Sequence, residues 1–134
     1  IAAGRYAVLL NRLYRELPFW TLVISEPKDR ERAQQIFDGL QMPKALHFPR
    51  HFDEFMVLLS YGDLYFVGDG GIGHLGAALG KKEVLLYGSS DPHVWSPLNR
   101  EAEWFYHPEH VDRIDDHLLF DALKKKLNEV HLKI

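Results

Sequence analysis

The fold is decided by a strand, a glycine-rich turn and a helix that follow one another in the stretch Leu64-Tyr65-Phe66-Val67-Gly68-Asp69-Gly70-Gly71-Ile72-Gly73-His74-Leu75-Gly76-Ala77-Ala78-Leu79-Gly80. The apolar residues 64–67 predict a buried strand, and the small residues 74–79 predict a helix that ends at Gly80. Glycine has no Cβ, so the turn between them lets the backbone approach a ligand closely. A helix N-terminus adds unpaired N–H groups and the positive end of the helix dipole, which favour an anion. The stretch predicts a phosphate or nucleotide site, although glycine is also common in such turns simply because they are tight.

Strands and helices alternate along the whole chain. Short apolar runs predict strands at 21–25, 45–48, 64–67, 83–87 and 103–106, and helical spacing of apolar residues predicts helices at 6–17, 29–40, 52–59, 74–79 and 116–130. This alternation predicts parallel βαβ units with right-handed crossovers and helices on both faces of the sheet. The predicted fold class is therefore α/β, a Rossmann-like doubly wound parallel sheet of about five strands, with ligands bound at the carboxyl ends of the strands.

The composition excludes several classes of protein. The 134 residues fit one ordinary domain, and 46% apolar with 26% charged residues is usual for a soluble globular protein. A net charge of −3 gives no general attraction for nucleic acid or an anionic membrane. The sequence has no cysteine, which excludes disulfide and thiolate chemistry and suits a cytosolic protein. No apolar run approaches the ~20 residues that a membrane span needs, so we expect no transmembrane segment.

A second loop supplies a motif at the same predicted edge of the sheet. The chain reads D-G-G-x-G-H-L-x-A-A-L-G from Asp69, then a strand, then G-S-S-D-P-x-x-W-x-P from Gly88. This order resembles the C-terminal domain of glycosyltransferase family 9, the ADP-heptose:lipopolysaccharide heptosyltransferases. The family pattern is D-[ST]-G-x-x-H-x-A-A-A-L-G, then a strand, then G-x-T-D-P-x-x-x-x-P, and the resemblance spans roughly residues 20–130.

The resemblance implies one half of a two-domain glycosyltransferase of the GT-B type. Residues 1–134 would form the nucleotide-sugar (donor) binding domain of a longer chain, whose N-terminal domain binds a lipopolysaccharide core acceptor. The reaction would be inverting transfer of heptose or a related sugar, with an acidic general base on the N-terminal domain. No catalytic residue is then expected in this chain, which by itself would be inactive. No cofactor or metal is expected either, because backbone N–H groups and the helix dipole would stabilise the leaving diphosphate.

The resemblance also assigns candidate donor-binding residues: Asp69, Gly70, Gly71, Gly73 and His74, with Ser25, Asp29 and Asp91 as further candidates. Structural roles remain open for several of them. Asp69 is suited to cap the following turn, His74 to cap the helix or pack over Ala78, and Asp91-Pro92 to begin a turn. Glu31 competes with Asp29 for the position of the acid that the family carries after the first strand.

Two departures from the family pattern leave other functions open. Gly70 replaces the Ser or Thr of the family, so a hydroxyl suited to a phosphate is missing. The resemblance aligns residues 1–6 with a Trp-Pro turn of the family, so we expect the Ser/Thr-Lys phosphate loop that precedes this turn to lie outside the sequence. The alternatives are a nucleotide-binding module without catalysis, or a sugar-nucleotide epimerase or hydrolase on the same two-domain plan. The predicted location is cytoplasmic, with peripheral binding at the inner membrane face as an option.

The remaining charged residues predict no further site. His47 and His51 bracket a proline, and His107 and His110 also lie beside one, so no set of converging metal ligands is expected. The run Lys124-Lys125-Lys126 predicts a solvated helix face.

Overall fold

The computed structural model describes residues 3–68, 71–87 and 101–132. The chain divides into two compact units, Ile1–Tyr61 and Gly62–Ile134. The first unit contains α1 (Ala3–Tyr14), β1 (Thr21–Ile24), α2 (Arg30–Gly39), β2 (Lys44–His47) and α3 (Phe52–Tyr61). The second contains β3 (Leu64–Gly68), α4 (Gly71–Ala78), β4 (Lys82–Tyr87), β5 (Ala102–Tyr106) and a final helix, α5 (Asp116–Leu132).

Every strand pair among the described residues is parallel, which confirms the predicted α/β class. In the first unit β1 pairs with β2, so that Thr21 lies opposite Lys44. In the second unit the strand order is β3-β4-β5. Each unit thus holds one parallel sheet, of two strands in the first unit and three in the second. Periodicity identifies strands but does not specify which of them pair, because pairing depends on residues that are distant in the chain.

The core of the first unit lies where α1 and α2 cover the β1–β2 sheet. Buried side chains of Ala7, Leu40 and Met42 form its centre, and the partly buried residues packed around them are Leu10, Tyr14, Phe19, Val23 and Ile36. Leu10 of α1 and Ile36 of α2 are at positions that the helical spacing of apolar residues predicts. Their burial removes the apolar stripes of both helices from water, which is the main force holding this unit together.

Two polar side chains complete the C-terminal end of α2. Asn11 Nδ2 donates to Gly39 O at 2.9 Å, and Asn11 Oδ1 accepts from Gln41 N at 2.7 Å. Lys44 Nζ donates to Phe37 O at 2.7 Å and to Leu40 O at 3.0 Å. The last carbonyls of a helix lack partners inside it, and a cation there also complements the helix dipole. Side chains from α1 and β2 thus fix the end of α2 against its neighbours.

The second unit is built on β4, all six residues of which are buried. Successive side chains of a strand point to opposite faces of the sheet. Glu83 and Leu85 point towards α4, as the contacts expected for its glycines show, and Lys82 points towards Glu129 of α5. A strand covered on both faces has to be apolar almost throughout, as the run from Val84 to Tyr87 is.

Two buried lysines anchor α5 to the residue that precedes β5. Lys82 Nζ contacts Glu101 and donates to Glu129 Oε2 at 2.8 Å, and these carboxylates raise the pKa of Lys82. Lys126 Nζ donates to Glu101 O at 2.9 Å and is only 7% exposed. The prediction that the lysine run is a solvated face is therefore wrong for Lys126, although Lys125 is exposed. Lys126 extends from the buried face of α5 and meets a carbonyl there, which no charge pattern reveals.

Glycine allows α4 to approach β3 and β4 closely. A Cβ built on Gly76 would lie 2.2 Å from Glu83 Oε1 and 2.6 Å from Tyr65 Cδ2, and one built on Gly73 would lie 3.2 Å from Leu85 Cδ2.

None of the described helices is long and apolar enough to cross a membrane.

A buried carboxyl group lies under this helix. Glu83 is fully buried, and neither of its carboxylate oxygens has a hydrogen-bond partner in the structure as described. Burial raises the pKa of Glu83 to about 7, although the charge of Lys126 opposes the shift. Burial, followed by the Glu83 charge, raises the pKa of Tyr65 to about 12. Burying a charge without a partner is unfavourable, so the folded protein favours the protonated form of Glu83.

We expect Gly76→Ala to destabilise the protein by about 1–3 kcal/mol, because the new methyl group overlaps two buried side chains. Gly4→Ala is the matched control, since a Cβ at Gly4 of α1 meets nothing within 4 Å. It should leave stability unchanged or raise it by up to about 1 kcal/mol, because alanine favours helix. Urea denaturation of both variants measures the difference. Equal stability of the two variants would contradict the close packing of α4.

We expect the free energy of unfolding to fall as the pH rises from about 4.5 to about 7, by on the order of 3 kcal/mol through Glu83 alone. In this range the unfolded chain ionises Glu83 while the folded protein keeps it protonated, so the folded state binds more protons. Glu83→Gln should remove this part of the pH dependence. Asp121→Asn, which changes an exposed carboxylate of α5, should leave it unchanged. Denaturation at several pH values tests this, and a Glu83→Gln slope equal to the unsubstituted protein's would refute it.

Candidate functional site

Residues 71–74 of the glycine-rich stretch form the first turn of α4. The sequence predicts that the helix begins at His74, but α4 begins at Gly71, one turn earlier. Glycine has a low helix propensity, and here tertiary packing outweighs it, because Gly73 is buried against Leu85. Residues 71–74 of the candidate anion site therefore belong to a regular helix.

Three predicted donor-binding residues lie together in this turn: Gly71, Gly73 and His74. The N–H groups of the first three residues of a helix have no acceptor within it, so those of residues 71–73 point out of the end of α4. His74 is exposed, so its imidazole is accessible to a ligand. Asp69, Gly70 and Asp91 lie outside the described residues, and their roles stay predictions.

The opposite end of α4 is fixed by a Schellman motif. Lys81 N donates to Gly76 O and Gly80 N donates to Ala77 O, both at 3.0 Å, and Gly80 has φ +70°. Only glycine adopts this left-handed conformation without strain, which is why α4 ends where the sequence predicts. The helix is thus held along its length by Gly73 and Gly76 and at its C-terminus by Gly80.

The other two candidates, Ser25 and Asp29, lie in the loop between β1 and α2 of the first unit. Ser25 N donates to His47 O at 3.2 Å, which continues the strand pairing, and its hydroxyl donates to Glu26 O at 3.0 Å. Asp29 is exposed and precedes α2 without a side-chain cap hydrogen bond. Glu31, the competing acid, lines a shallow groove with Pro27, Lys28, Arg30, Gln34 and Gln35.

The carboxyl end of β2 carries ionic contacts that the sequence did not reveal. His47 Nε2 contacts Glu54 Oε1, and this hydrogen bond, with one from Arg50 N, lowers the pKa of Glu54. The Arg30 guanidinium lies 4.4 Å from the centre of the Phe48 ring. Within the described part of the chain, no group of three His, Asp or Glu side chains is arranged to hold a metal ion.

At the carboxyl end of β5 the structure places a histidine that the sequence analysis did not select. His107 N donates to Tyr87 O at 3.3 Å, and His107 Nδ1 accepts from Glu109 N at 3.2 Å. The sequence could have indicated this residue, because His107 directly follows a predicted strand and parallel sheets bind ligands at the carboxyl ends of their strands.

The sequence is similar to a known protein family over most of its length. The model of glycosyltransferase family 9 (heptosyltransferase) matches residues 3–115. No curated protein sequence matches the chain.

Solved structures share the fold of the chain. The ADP-heptose LPS heptosyltransferase II of E. coli superimposes with a TM-score of 0.81 at 23% identity over 96% of this chain. A family 9 glycosyltransferase from Veillonella parvula gives 0.83 at 20% identity over 95% of this chain, and the E. coli heptosyltransferase WaaC with ADP gives 0.75 at 18% over 92%.

The chain spans only about two-fifths of the length of these structures, 42%, 41% and 39% respectively. At such identities the likeness shows the fold, while the family model shows the relationship, because it covers most of the sequence. The resemblance that the sequence motifs predict is thereby confirmed, and the chain belongs to glycosyltransferase family 9 (heptosyltransferase).

Proposed function

We propose that residues 1–134 form the donor-binding domain of an inverting glycosyltransferase. The enzyme would transfer heptose or a related sugar from a nucleotide-diphosphate sugar to a lipopolysaccharide core acceptor. The single observation that carries this proposal is the first turn of α4, where the residues of the family motif lie in a helix N-terminus that follows a parallel strand.

In this proposal the N–H groups of residues 71–73 bind the diphosphate of the donor. The leaving nucleotide diphosphate gains negative charge during transfer, and N–H groups already oriented towards it stabilise that charge without a metal ion. His74 is exposed beside them and donates to a phosphate or sugar oxygen. Asp69, Gly70 and Asp91 are expected to contribute to the same site, and Ser25 and Asp29 to contact other parts of the donor.

The acceptor and the general base belong to a second domain in this proposal. Inverting transfer requires the acceptor hydroxyl to attack from the side opposite the leaving diphosphate, and holding the reactants in line supplies much of the rate. These residues alone are therefore proposed to bind donor but not to catalyse transfer. We place the enzyme in the cytoplasm, in peripheral contact with the inner membrane, because the proposed acceptor is a membrane lipid.

One sequence feature favours a second candidate function, a nucleotide-binding module without transferase activity. Gly70 lacks the hydroxyl that Ser or Thr supplies in the family pattern. An epimerase or hydrolase on the same plan would instead convert the nucleotide sugar without an acceptor. Transfer of labelled heptose by the full-length protein to a lipid A–core acceptor supports the transferase. Binding without transfer supports the module, and conversion without acceptor supports the epimerase or hydrolase.

We expect Gly71→Val to lower the affinity of the full-length protein for ADP by at least about tenfold, because a branched side chain stands beside the N–H groups that meet the diphosphate. Ala78→Val is the matched control, since it adds a similar side chain at the exposed far end of α4. Calorimetric titration with ADP measures both affinities. Equal ADP affinity in two folded variants would refute the assignment of the site.

We expect His74→Ala and Asp69→Asn to lower the transfer rate of the full-length enzyme by tenfold or more, with a loss of stability no greater than about 1 kcal/mol. The His74 side chain is exposed, so its removal opens no cavity. His117→Ala, at an exposed histidine of α5, should change neither property. Heptose transfer and thermal unfolding are measured on the same preparations. Full activity of the folded variants would refute a role of these side chains in transfer. Unfolding of either variant would mean that its side chain is structural.

A further inference from the structure

We infer that His107 is a further donor-binding residue, whose Nε2–H donates a hydrogen bond to a phosphate or sugar-hydroxyl oxygen of the nucleotide sugar. The inference rests on the proposed function and adds a contact from a strand that the family motif does not reach. It is based on three features: the position of His107 in the sheet, the tautomer of its ring and the distance between its strand and the strand that leads to α4.

The position of His107 is the carboxyl edge of the three-stranded sheet. Gly68, the last residue of β3, lies opposite Leu86 of β4, and Tyr87 of β4 lies opposite Tyr106 of β5. His107 follows Tyr106 directly, and its N–H donates to Tyr87 O at 3.3 Å, so the backbone is still held to β4. The strand ends that lead to α4 and to His107 therefore lie at one edge.

The ring of His107 is held in one tautomer. Its Nδ1 accepts from the backbone N–H groups of Glu109 at 3.2 Å and His110 at 3.4 Å. A ring nitrogen that accepts carries no proton, so the proton of the neutral imidazole is on Nε2. The two N–H groups also fix the direction of the half-buried ring. The turn thus presents Nε2–H as a donor, and no acceptor for it is found among the residues that the structure describes.

The separation between the two groups suits an extended ligand. Adjacent strands lie about 4.8 Å apart, so the ends of β3 and β5 are about 10 Å apart across β4. A diphosphate with its attached sugar is long enough to extend from the N-terminus of α4 past β4 to His107. Both ends then offer N–H groups, and oxygen atoms of the ligand accept hydrogen bonds from them.

His110 provides a matched control three residues away. Its Nδ1 also accepts a backbone hydrogen bond, from Asp112 N at 3.1 Å, but its side chain is 61% exposed and lies beyond the turn. The two histidines therefore share a turn-capping role, and only His107 directly continues a strand of the sheet.

The test exploits the two ring nitrogens of His107 separately. In His107→Asn the side-chain oxygen takes the place of Nδ1 and keeps the turn, but nothing replaces Nε2–H. In His107→Gln the amide nitrogen takes the place of Nε2 and restores the donor. We expect His107→Asn to lower donor affinity about tenfold, His107→Gln to regain most of it, and His110→Asn to leave it unchanged.

Calorimetric titrations of the full-length protein with ADP and with ADP-heptose identify the contacted oxygen. Weaker binding of both ligands assigns His107 to a phosphate, and weaker binding of ADP-heptose alone assigns it to the sugar. Wild-type affinity for both in His107→Asn would overturn the inference, as would equal losses in the Asn and Gln variants. If Gly71→Val weakens binding while His107→Asn does not, only the inference fails. If the unsubstituted protein binds neither ligand, both the inference and the proposed function fail.

Discussion

The close packing of α4 on β3 and β4 is the constraint on which the second unit depends. Gly76 allows the helix backbone to lie against Glu83 and the Tyr65 ring, and Gly73 allows it to lie against Leu85. Any side chain larger than hydrogen at Gly76 would separate the helix from the sheet. The N-terminus of α4 lies at the carboxyl end of β3 only while this contact holds, so the geometry of the candidate site depends on packing along the rest of the helix.

This packing also explains why the contact surface contains a carboxyl group. The space left by Gly76 is filled by Glu83, which is fully buried and has a raised pKa. On the opposite face of β4 the charges are paired instead, because Lys82 contacts Glu101 and Glu129. A paired charge is stabilised by its partner, while an unpaired one avoids the desolvation penalty by taking up a proton. The two faces of one strand therefore respond to pH in different ways.

The three-stranded sheet explains how the candidate site can extend beyond the N-terminus of α4. A helix N-terminus alone supplies donors at one point, but parallel strands bring their carboxyl ends to one edge. Gly68, Tyr87 and Tyr106 end their strands there, so groups from distant parts of the sequence face the same side. Under the proposed function the substrate is a nucleotide-diphosphate sugar, whose oxygen atoms are spread along its length and suit this arrangement.

Local patterns in the sequence are enough to predict the fold class, the order of the elements and the resemblance to the family. The apolar runs and the helical spacing are local properties, and each of the five predicted strands is present within one or two residues of its predicted bounds. The Schellman glycine at Gly80 and the motif around His74 are local as well. Family membership follows from these motifs because they combine residue types at fixed spacing.

Three features become apparent only in the folded chain: the start of α4, the burial of Lys126 and the position of the His107 proton on Nε2. Each of these depends on a partner distant in the sequence or on the path of a turn: Leu85 for Gly73, Glu101 for Lys126, and the N–H groups of Glu109 and His110 for His107. A pattern of residue types indicates the secondary-structure preference of each segment, whereas burial and hydrogen bonding depend on contacts between segments. For that reason the sequence predicted the elements of the candidate site, and the folded chain determined the burial and the hydrogen bonds of their residues.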